Sequence, residues 1–305
     1  MRSVRETQVF MDTTVTAEIV GDAPDDACHE AFGRAFAWFR EVEARCSRFD
    51  PSSELRGLST RPTEPVAVSE VLFAAVQFAL EVARESGGAF DPTIGARMEA
   101  RGFDRDYRTG RPGRSGVVAD AGACWTDVLL DGERRTITLR RPLLLDLGAV
   151  AKGLAIDLAL RELAGFTGAA IEAGGDVAVR GPNPEGTAWR IGIRHPRRPE
   201  GVCTVLCLRD AAVCTSGDYE RRAPPPDGGS HLLDPRTGRP VDAMASCSVV
   251  APSAMLADAL STAASVQRPV RAIAWLRRRG VEAVLFTPAL MRYATPGFAR
   301  LEQCQ

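Results

Sequence analysis

Polar and apolar residues alternate between positions 8 and 20, with Thr14, Thr16 and Glu18 set against Val15, Ala17 and Ile19. A period of two predicts a strand with one wet face. Gly21 to Asp26 reads as a turn, in which Asp25 or Asp26 can cap a helix. From Ala27 to Cys46 the spacing becomes helical: Phe32, Phe36 and Phe39 recur with Ala31, Ala35, Trp38 and Val42. Trp38 and these phenylalanines are expected in the core. Ser47–Leu55 is a loop entering a short helix that Ser52 or Ser53 can cap. Ser69 opens a longer helix through Ser86, closed by Gly87-Gly88.

Farther along, residues 104–118 are rich in Arg, Gly, Asp and Pro and read as a loop. Trp125–Leu130 and Arg135–Arg140 flank Asp131-Gly132, a hairpin signal. Leu143–Leu147 reads as a buried strand running through Gly148–Gly153 into a helix to Leu163. Further strands are predicted at Gly168–Ala173, Trp189–Arg194, Thr204–Leu208, Ala211–Thr215, Ala245–Val250 and Val281–Phe286. Thr215–Tyr219 reads as a hydroxyl-rich turn and Arg221–Ser230 as an exposed loop. Ser253 caps a helix carrying Asp258 and Thr262, another helix spans Val270–Arg279, and Tyr293–Gln305 forms a short last element. No polar linker separates two domains, and strands are joined mostly by hairpins with helices in pairs. This pattern predicts one α+β domain over 1–305 rather than a doubly wound parallel sheet.

Composition narrows the function. A 305-residue chain that is 45% hydrophobic and 25% charged can bury a substantial core. Its net charge of -1 argues against a nucleic-acid partner. Arginines gather near 105–114 and 276–279; the first group, mixed with Asp, Gly and Pro, reads as a solvated loop. None of the eight cysteines forms a C-x-x-C pair. Cys203 and Cys207 would lie roughly 13 Å apart along a strand, too far for joint ligation. Reduced thiols are expected. Met1–Glu6 has no apolar signal core or lipobox cysteine, and no run is long enough for a membrane span. The expectation is a cytoplasmic protein.

Several residues invite chemistry. Asp91, before Pro92, is pushed out of helical geometry and is either a local cap or a ligand contact. Lys152 sits where a helix dipole disfavours a cation, so a ligand role competes with a surface role. Gly174-Gly175 before Asp176 permits close backbone approach. Asp258 and Thr262, four apart on a helix, point their oxygens the same way. His231 precedes the tight turn Asp234-Pro235-Arg236-Thr237-Gly238. Of the other two histidines, His29 lies on the first helix and His195 ends a strand, where a surface position is expected.

Taken in order, the blocks Met11-Asp12-Thr13, SRFDPSSELRGLS (47–59), GGAFDPTIG (87–95), DLGAVAKG (146–153), AGGD (173–176), TSGDY (215–219), HLLDPRTG (231–238) and ADALST (257–262) resemble the ApbE-type FAD:protein FMN transferases. The resemblance implies an α+β fold of two entwined halves with a central flavin cleft. It implies magnesium-dependent transfer of FMN from FAD to a Ser or Thr of an acceptor flavoprotein, with release of AMP. Met11, Asp91, Lys152, Glu172, Asp176 and Thr215 then line the flavin cleft together with His231, which also serves as catalytic base. Asp258 and Thr262 bind Mg2+ with a backbone carbonyl from Gly148 or Ala149. Two residues depart from the family pattern: Asp12 stands where glycine is usual, and Ser59 where asparagine is usual. An FAD pyrophosphatase of the same fold and a non-catalytic flavin binder are the competing readings.

Overall fold

A computed structural model describes residues 1–105, 110, 112–220 and 229–303. The first half holds β1 (Ser3–Phe10), β2 (Thr13–Val20), α1 (Asp25–Cys46), α2 (Glu54–Ser59), β3 (Val66–Ala67), α3 (Glu70–Ser86), α4 (Gly95–Ala100), β4 (Val128–Asp131), β5 (Thr136–Leu139) and α5 (Gly148–Glu162). There follow β6 (Gly168–Ala173), β7 (Asp176–Arg180), β8 (Trp189–Arg194), β9 (Val202–Leu208), β10 (Ala211–Gly217), β11 (Leu233–Asp234) and β12 (Arg239–Pro240). The chain ends with β13 (Ser246–Ala251), α6 (Ala254–Ser265), α7 (Pro269–Arg278), β14 (Glu282–Phe286), β15 (Arg292–Ala294) and α8 (Phe298–Leu301).

The centre is an eight-stranded sheet in the order β1-β2-β6-β7-β10-β13-β14-β15. Every neighbouring pair in it is antiparallel. The fold is therefore α+β, as the hairpin-rich pattern predicts. Helices α1, α5 and α6 pack together against one face, and the largest core cluster lies there, with Phe32, Phe36, Ile156 and Leu260 at 1% exposure or less. The other face is covered by the β8–β9 hairpin and α8 through Trp189, Leu206, Val213 and Phe298. Side chains inward at every second residue on β2 (Val15, Ala17, Ile19) confirm the predicted alternation. Glu18, expected on a wet face, is also buried and pairs with Arg5 at 2.7 Å.

Several local expectations need correction. Residues 8–20 are not one strand: the chain reverses at Met11-Asp12, whose φ angles of 48° and 63° make a left-handed hairpin turn. This explains Asp12, since Asp is among the few side chains that tolerate that region where glycine is usual. No Asp side chain caps α1; its N-cap is Pro24, and Asp25 and Asp26 lie in the first turn. Trp38 is only half-buried, because its indole nitrogen donates to Glu162 at 3.0 Å near the surface. Trp125–Asp127 is a 3-10 turn, and the β4–β5 hairpin begins only at Val128.

Leu143–Leu147 is buried but forms no strand beyond a single parallel bridge of Leu144 to Ile94. Its apolarity reflects packing on both sides rather than membership of a ladder. The helix after it starts at Gly148, so Val150 and Ala151 already donate to the Leu147 carbonyl. The N–H groups of Val150 and Ala151 are thus consumed within the helix. Thr215, Ser216 and Gly217 continue β10, and the turn begins at Asp218. His195 is buried, not superficial; its Nδ1 accepts from the Arg197 and Arg198 N–H groups, each at 3.1 Å. Cys207 is disulfide-bonded, against the expectation of thiols throughout, whereas Cys28, Cys46, Cys124, Cys203, Cys214 and Cys247 are free. The Arg221–Ser230 loop falls outside the described residues up to 228, as does part of the loop at 104–118. Among the described residues, no helix is long and apolar enough to cross a membrane.

Candidate functional site

The sheet brings distant blocks to one end. Val15 pairs with Ala173, Ala173 with Asp176, and Gly217 with Ser246, which in turn pairs with Phe286. The Met11-Asp12 turn therefore lies beside the Gly174-Gly175 turn, where Gly174 N–H donates to the Thr14 carbonyl at 3.2 Å. A side chain at Gly174 would meet the Thr13 hydroxyl at 2.6 Å, and both glycines have positive φ. Glu172 holds this turn by accepting from Gly175 N–H at 2.8 Å. Met11 packs, half-buried, on the edge of the core.

Two helices place side chains over that end. On α5, Lys152 forms an ion pair with Asp176 and lies 3.4 Å from Asp258 Oδ2. Asp176 and Asp258 are 3% and 6% exposed, so one ammonium joins two carboxylates withdrawn from water. Lys152 is thus paired inside this cluster rather than free on the surface. Asp176 also accepts from Thr215 N–H at 3.0 Å, and the Thr215 hydroxyl lies 2.8 Å from that of Ser248. On α6, Thr262 Oγ1 lies 3.0 Å from Ser216 Oγ, one turn beyond Asp258.

The register of α5 against α6 is fixed by backbone contact. A Cβ at Gly153 would fall 2.5 Å from Met255 Cα and 2.6 Å from the Ala254 carbonyl oxygen. Asp157, one turn on, accepts from Ala254 and Met255 N–H at 2.7 and 2.9 Å, and Ser253 caps Leu256 N–H at 3.3 Å. Burial pushes the Asp157 carboxyl above its usual range, while the N–H bonds from α6 pull it back.

A second group of predicted residues lies beside this cluster in the fold. Asp91 is 9% exposed and accepts from Thr93 N–H, the Thr93 hydroxyl and Trp125 N–H at 2.8, 2.7 and 3.2 Å. Burial raises its pKa against those bonds. Of the two readings open for Asp91, the local turn is the one its contacts display. The segment after it buttresses the entry to α5: Asp146 N–H donates to the Pro92 carbonyl at 2.7 Å and Gly95 N–H to that of Leu144 at 3.1 Å. Asp146 accepts from Arg48 Nε at 2.7 Å and from Gly148 N–H at 2.8 Å.

His231 is half-buried, with its ring edge-on to Phe103 at 6.4 Å between centroids. It precedes the small β11–β12 hairpin, whose turn closes by Gly238 N–H to the Asp234 carbonyl at 2.7 Å, with Gly238 at φ 68°. Arg236 grips Asp234 with two bonds of 2.9 Å and holds its carboxyl below the usual range. Arg97 of α4 donates to the Pro235 carbonyl, tying this hairpin to the Asp91 segment. Between them lies a cavity of about 290 Å³ lined by Asp91, Arg97, Trp125, Pro235 and Arg236.

Magnesium was expected at Asp258, Thr262 and a carbonyl near Ala149. Among the described residues no group of three His, Cys, Asp or Glu side chains forms a metal cage. The residues present nevertheless fit a hard cation that keeps most of its waters. Asp258 Oδ2 is buried and accepts no hydrogen bond, and Thr262 offers a hydroxyl on the same helix face. Ala149 lies in the first turn of α5, whose start is at this end. Ser216, Ser261, Asp157, Arg48 and Asp146 were not singled out from the sequence. All except Asp157 stand inside recognised blocks, where their neighbours drew the attention.

Fold and site together define an α+β protein whose polar machinery is gathered at one end of an antiparallel sheet, beneath a locked helix pair. The chain belongs to the ApbE family, whose pattern matches residues 11–285. It is similar to proteins named FAD:protein FMN transferase from Rhodobacter capsulatus, at 36% identity over 98% of this chain, and from Escherichia coli K12, at 30% over 77% of this chain and 70% of that one. The chain spans 58% of the length of the Rhodobacter relative. In structure it is similar to the ApbE protein from Thermotoga maritima, with a TM-score of 0.88, 28% identity and coverage of 99% and 100% of the two chains. It is also similar to the flavin transferase ApbE from Vibrio cholerae, with a TM-score of 0.84, 26% identity and coverage of 98% and 99%.

Proposed function

We propose that this chain transfers FMN from FAD to a Ser or Thr hydroxyl of an acceptor flavoprotein and releases AMP, with Mg2+ as cofactor. The reading is supported by family membership and by the names of the relatives. The single observation that carries it is the buried Asp258 carboxylate oxygen, which accepts no hydrogen bond and lies beside Lys152, one helical turn from the Thr262 hydroxyl. The whole chain acts as one domain of two intertwined halves, because strands from both ends of the sequence share one sheet.

Asp258 and Thr262 would hold magnesium with the Ala149 carbonyl. Bound there, the ion supplies charge neutralisation at the pyrophosphate. Lys152 pairs with both Asp176 and Asp258, which orients them, and presents positive charge to a phosphate. The Gly174-Gly175 turn leaves the backbone bare for a ligand beside Met11, Glu172 and Thr215. In the transfer, the acceptor oxygen forms a bond to the FMN phosphorus as the bond to the AMP oxygen breaks. His231 takes the hydroxyl proton on its ring, whose ordinary pKa near neutrality suits a base. The Arg236–Asp234 pair and the Arg97 bond steady the turn that carries it. The Asp91 segment acts through the backbone leading into α5.

Incubating the chain with FAD, Mg2+ and an acceptor domain tests this. AMP release together with a covalent flavin mass shift on the acceptor is expected. AMP without the mass shift makes the chain an FAD pyrophosphatase. Bound FAD with neither product makes it a flavin binder.

A further inference from the structure

Thr262 stands at the end of a chain of hydroxyls. Ser216 Oγ lies 2.7 Å from Ser261 Oγ and 3.0 Å from Thr262 Oγ1, and Ser261 Oγ lies 2.9 Å from the Asp258 backbone carbonyl oxygen. Ser261 is fully buried and Ser216 is 9% exposed, so solvent does not scramble the network. Each hydroxyl carries one proton, and a carbonyl can only accept. The Ser261 proton goes to the Asp258 carbonyl. The bond between Ser216 and Ser261 must then use the Ser216 proton, and the bond between Thr262 and Ser216 must use the Thr262 proton. Asp258 Oδ2 accepts no hydrogen bond, in keeping with a Thr262 proton directed away from it.

We infer that Ser216 and Ser261 are positioning residues that fix the direction of the Thr262 hydroxyl, turning its proton into the protein and leaving its lone pairs for a cation shared with Asp258. This rests on the reading of Asp258 and Thr262 as the cation-binding pair. A freely rotating hydroxyl would present its proton to the cation for part of the time. A relay anchored on a backbone carbonyl removes that state before the ion arrives. Serine is suited to both positions, because a short hydroxyl reaches across from β10 to α6 where the two elements touch. Removing Ser216 frees the Thr262 proton directly. Removing Ser261 releases the anchor and lets Ser216 donate toward Thr262 instead.

The test is titration of Mn2+ into the full chain, followed by electron paramagnetic resonance, with and without FAD, alongside melting curves. Ser216→Ala and Ser261→Ala should each raise the Mn2+ dissociation constant about tenfold, equivalent to about 1.4 kcal/mol. Ser216→Thr, which keeps the hydroxyl, should stay within about threefold of the parent. The double alanine variant should bind no more weakly than Ser216→Ala, since both changes break one relay. Unchanged Mn2+ affinity in folded single variants, even with lowered melting temperatures, overturns the relay. So do strictly additive losses. If the parent shows no Mn2+ binding that Asp258→Ala removes, the cation pair itself fails and the relay with it. The AMP and mass-shift assay reports separately whether flavin transfer stands.

Discussion

At the scale of single residues, the site sets one ammonium against two buried carboxylates and places a hydroxyl triad beside them. Breaking a buried pair by removing one partner strands the other charge, which is why Lys152 and Asp176 cannot be judged separately. His231→Ala should keep FAD affinity within about threefold yet lower turnover at least about 100-fold, the range of a lost general base. Flavin fluorescence quenching and AMP release measure the two halves, and full turnover in that variant would remove His231 from the chemistry. Asp157 gives a pH signature. Its folded pKa is raised by burial above the unfolded value. Its contribution to stability is therefore present below the unfolded pKa and is lost as pH rises through the folded one. The stability advantage of the parent over Asp157→Asn should shrink across that window and then level off. Urea unfolding at a series of pH values measures it, and an advantage that grows with pH would reverse the sign.

At the scale of elements, the pairing of α5 with α6 carries the site. Gly153 is the point where the two backbones touch, and no flexible side chain is there to yield. Gly153→Ala should destabilise the protein by about 1–3 kcal/mol, as overpacking does. A thermal melt reads this, and an unchanged midpoint would show that the helices separate without cost. The same elements show where periodicity informs and where it fails. Helices α1 and α3 and strand β8 were legible because one face is buried and the other wet, whereas α6, β6 and β13 have no exposed face and were legible from short apolar runs bounded by turn or cap residues. The turn at Met11-Asp12 was not, because apolar and polar residues keep alternating into the hairpin. Leu143–Leu147 misled because burial on all sides looks like a central strand whether or not a ladder exists. Strand β7 was hidden directly behind the Gly174-Gly175 turn, where the glycines rather than the strand held the signal.

At the scale of the whole molecule, one sheet collects residues from positions 11 to 286 and presents their turns at a common end. Lys152, Asp176, Thr215, Asp258 and Thr262 were legible as candidates from their blocks, but their mutual contacts were not. Those contacts depend on strand order and on the close approach of α5 to α6, neither of which a linear pattern encodes. Ser216 and Ser261 were illegible for the same reason: a buried serine matters through what it faces across 45 residues of chain.

The central claim is that FMN transfer takes place at the Asp258–Thr262 pair. Its most direct test is the covalent flavin mass on an acceptor domain, measured across a magnesium series for the parent and Asp258→Ala. The account predicts flavinylation by the parent and a half-saturating magnesium concentration at least about tenfold higher in the variant, a loss of about 1.4 kcal/mol. Equal magnesium curves for the two proteins would contradict it.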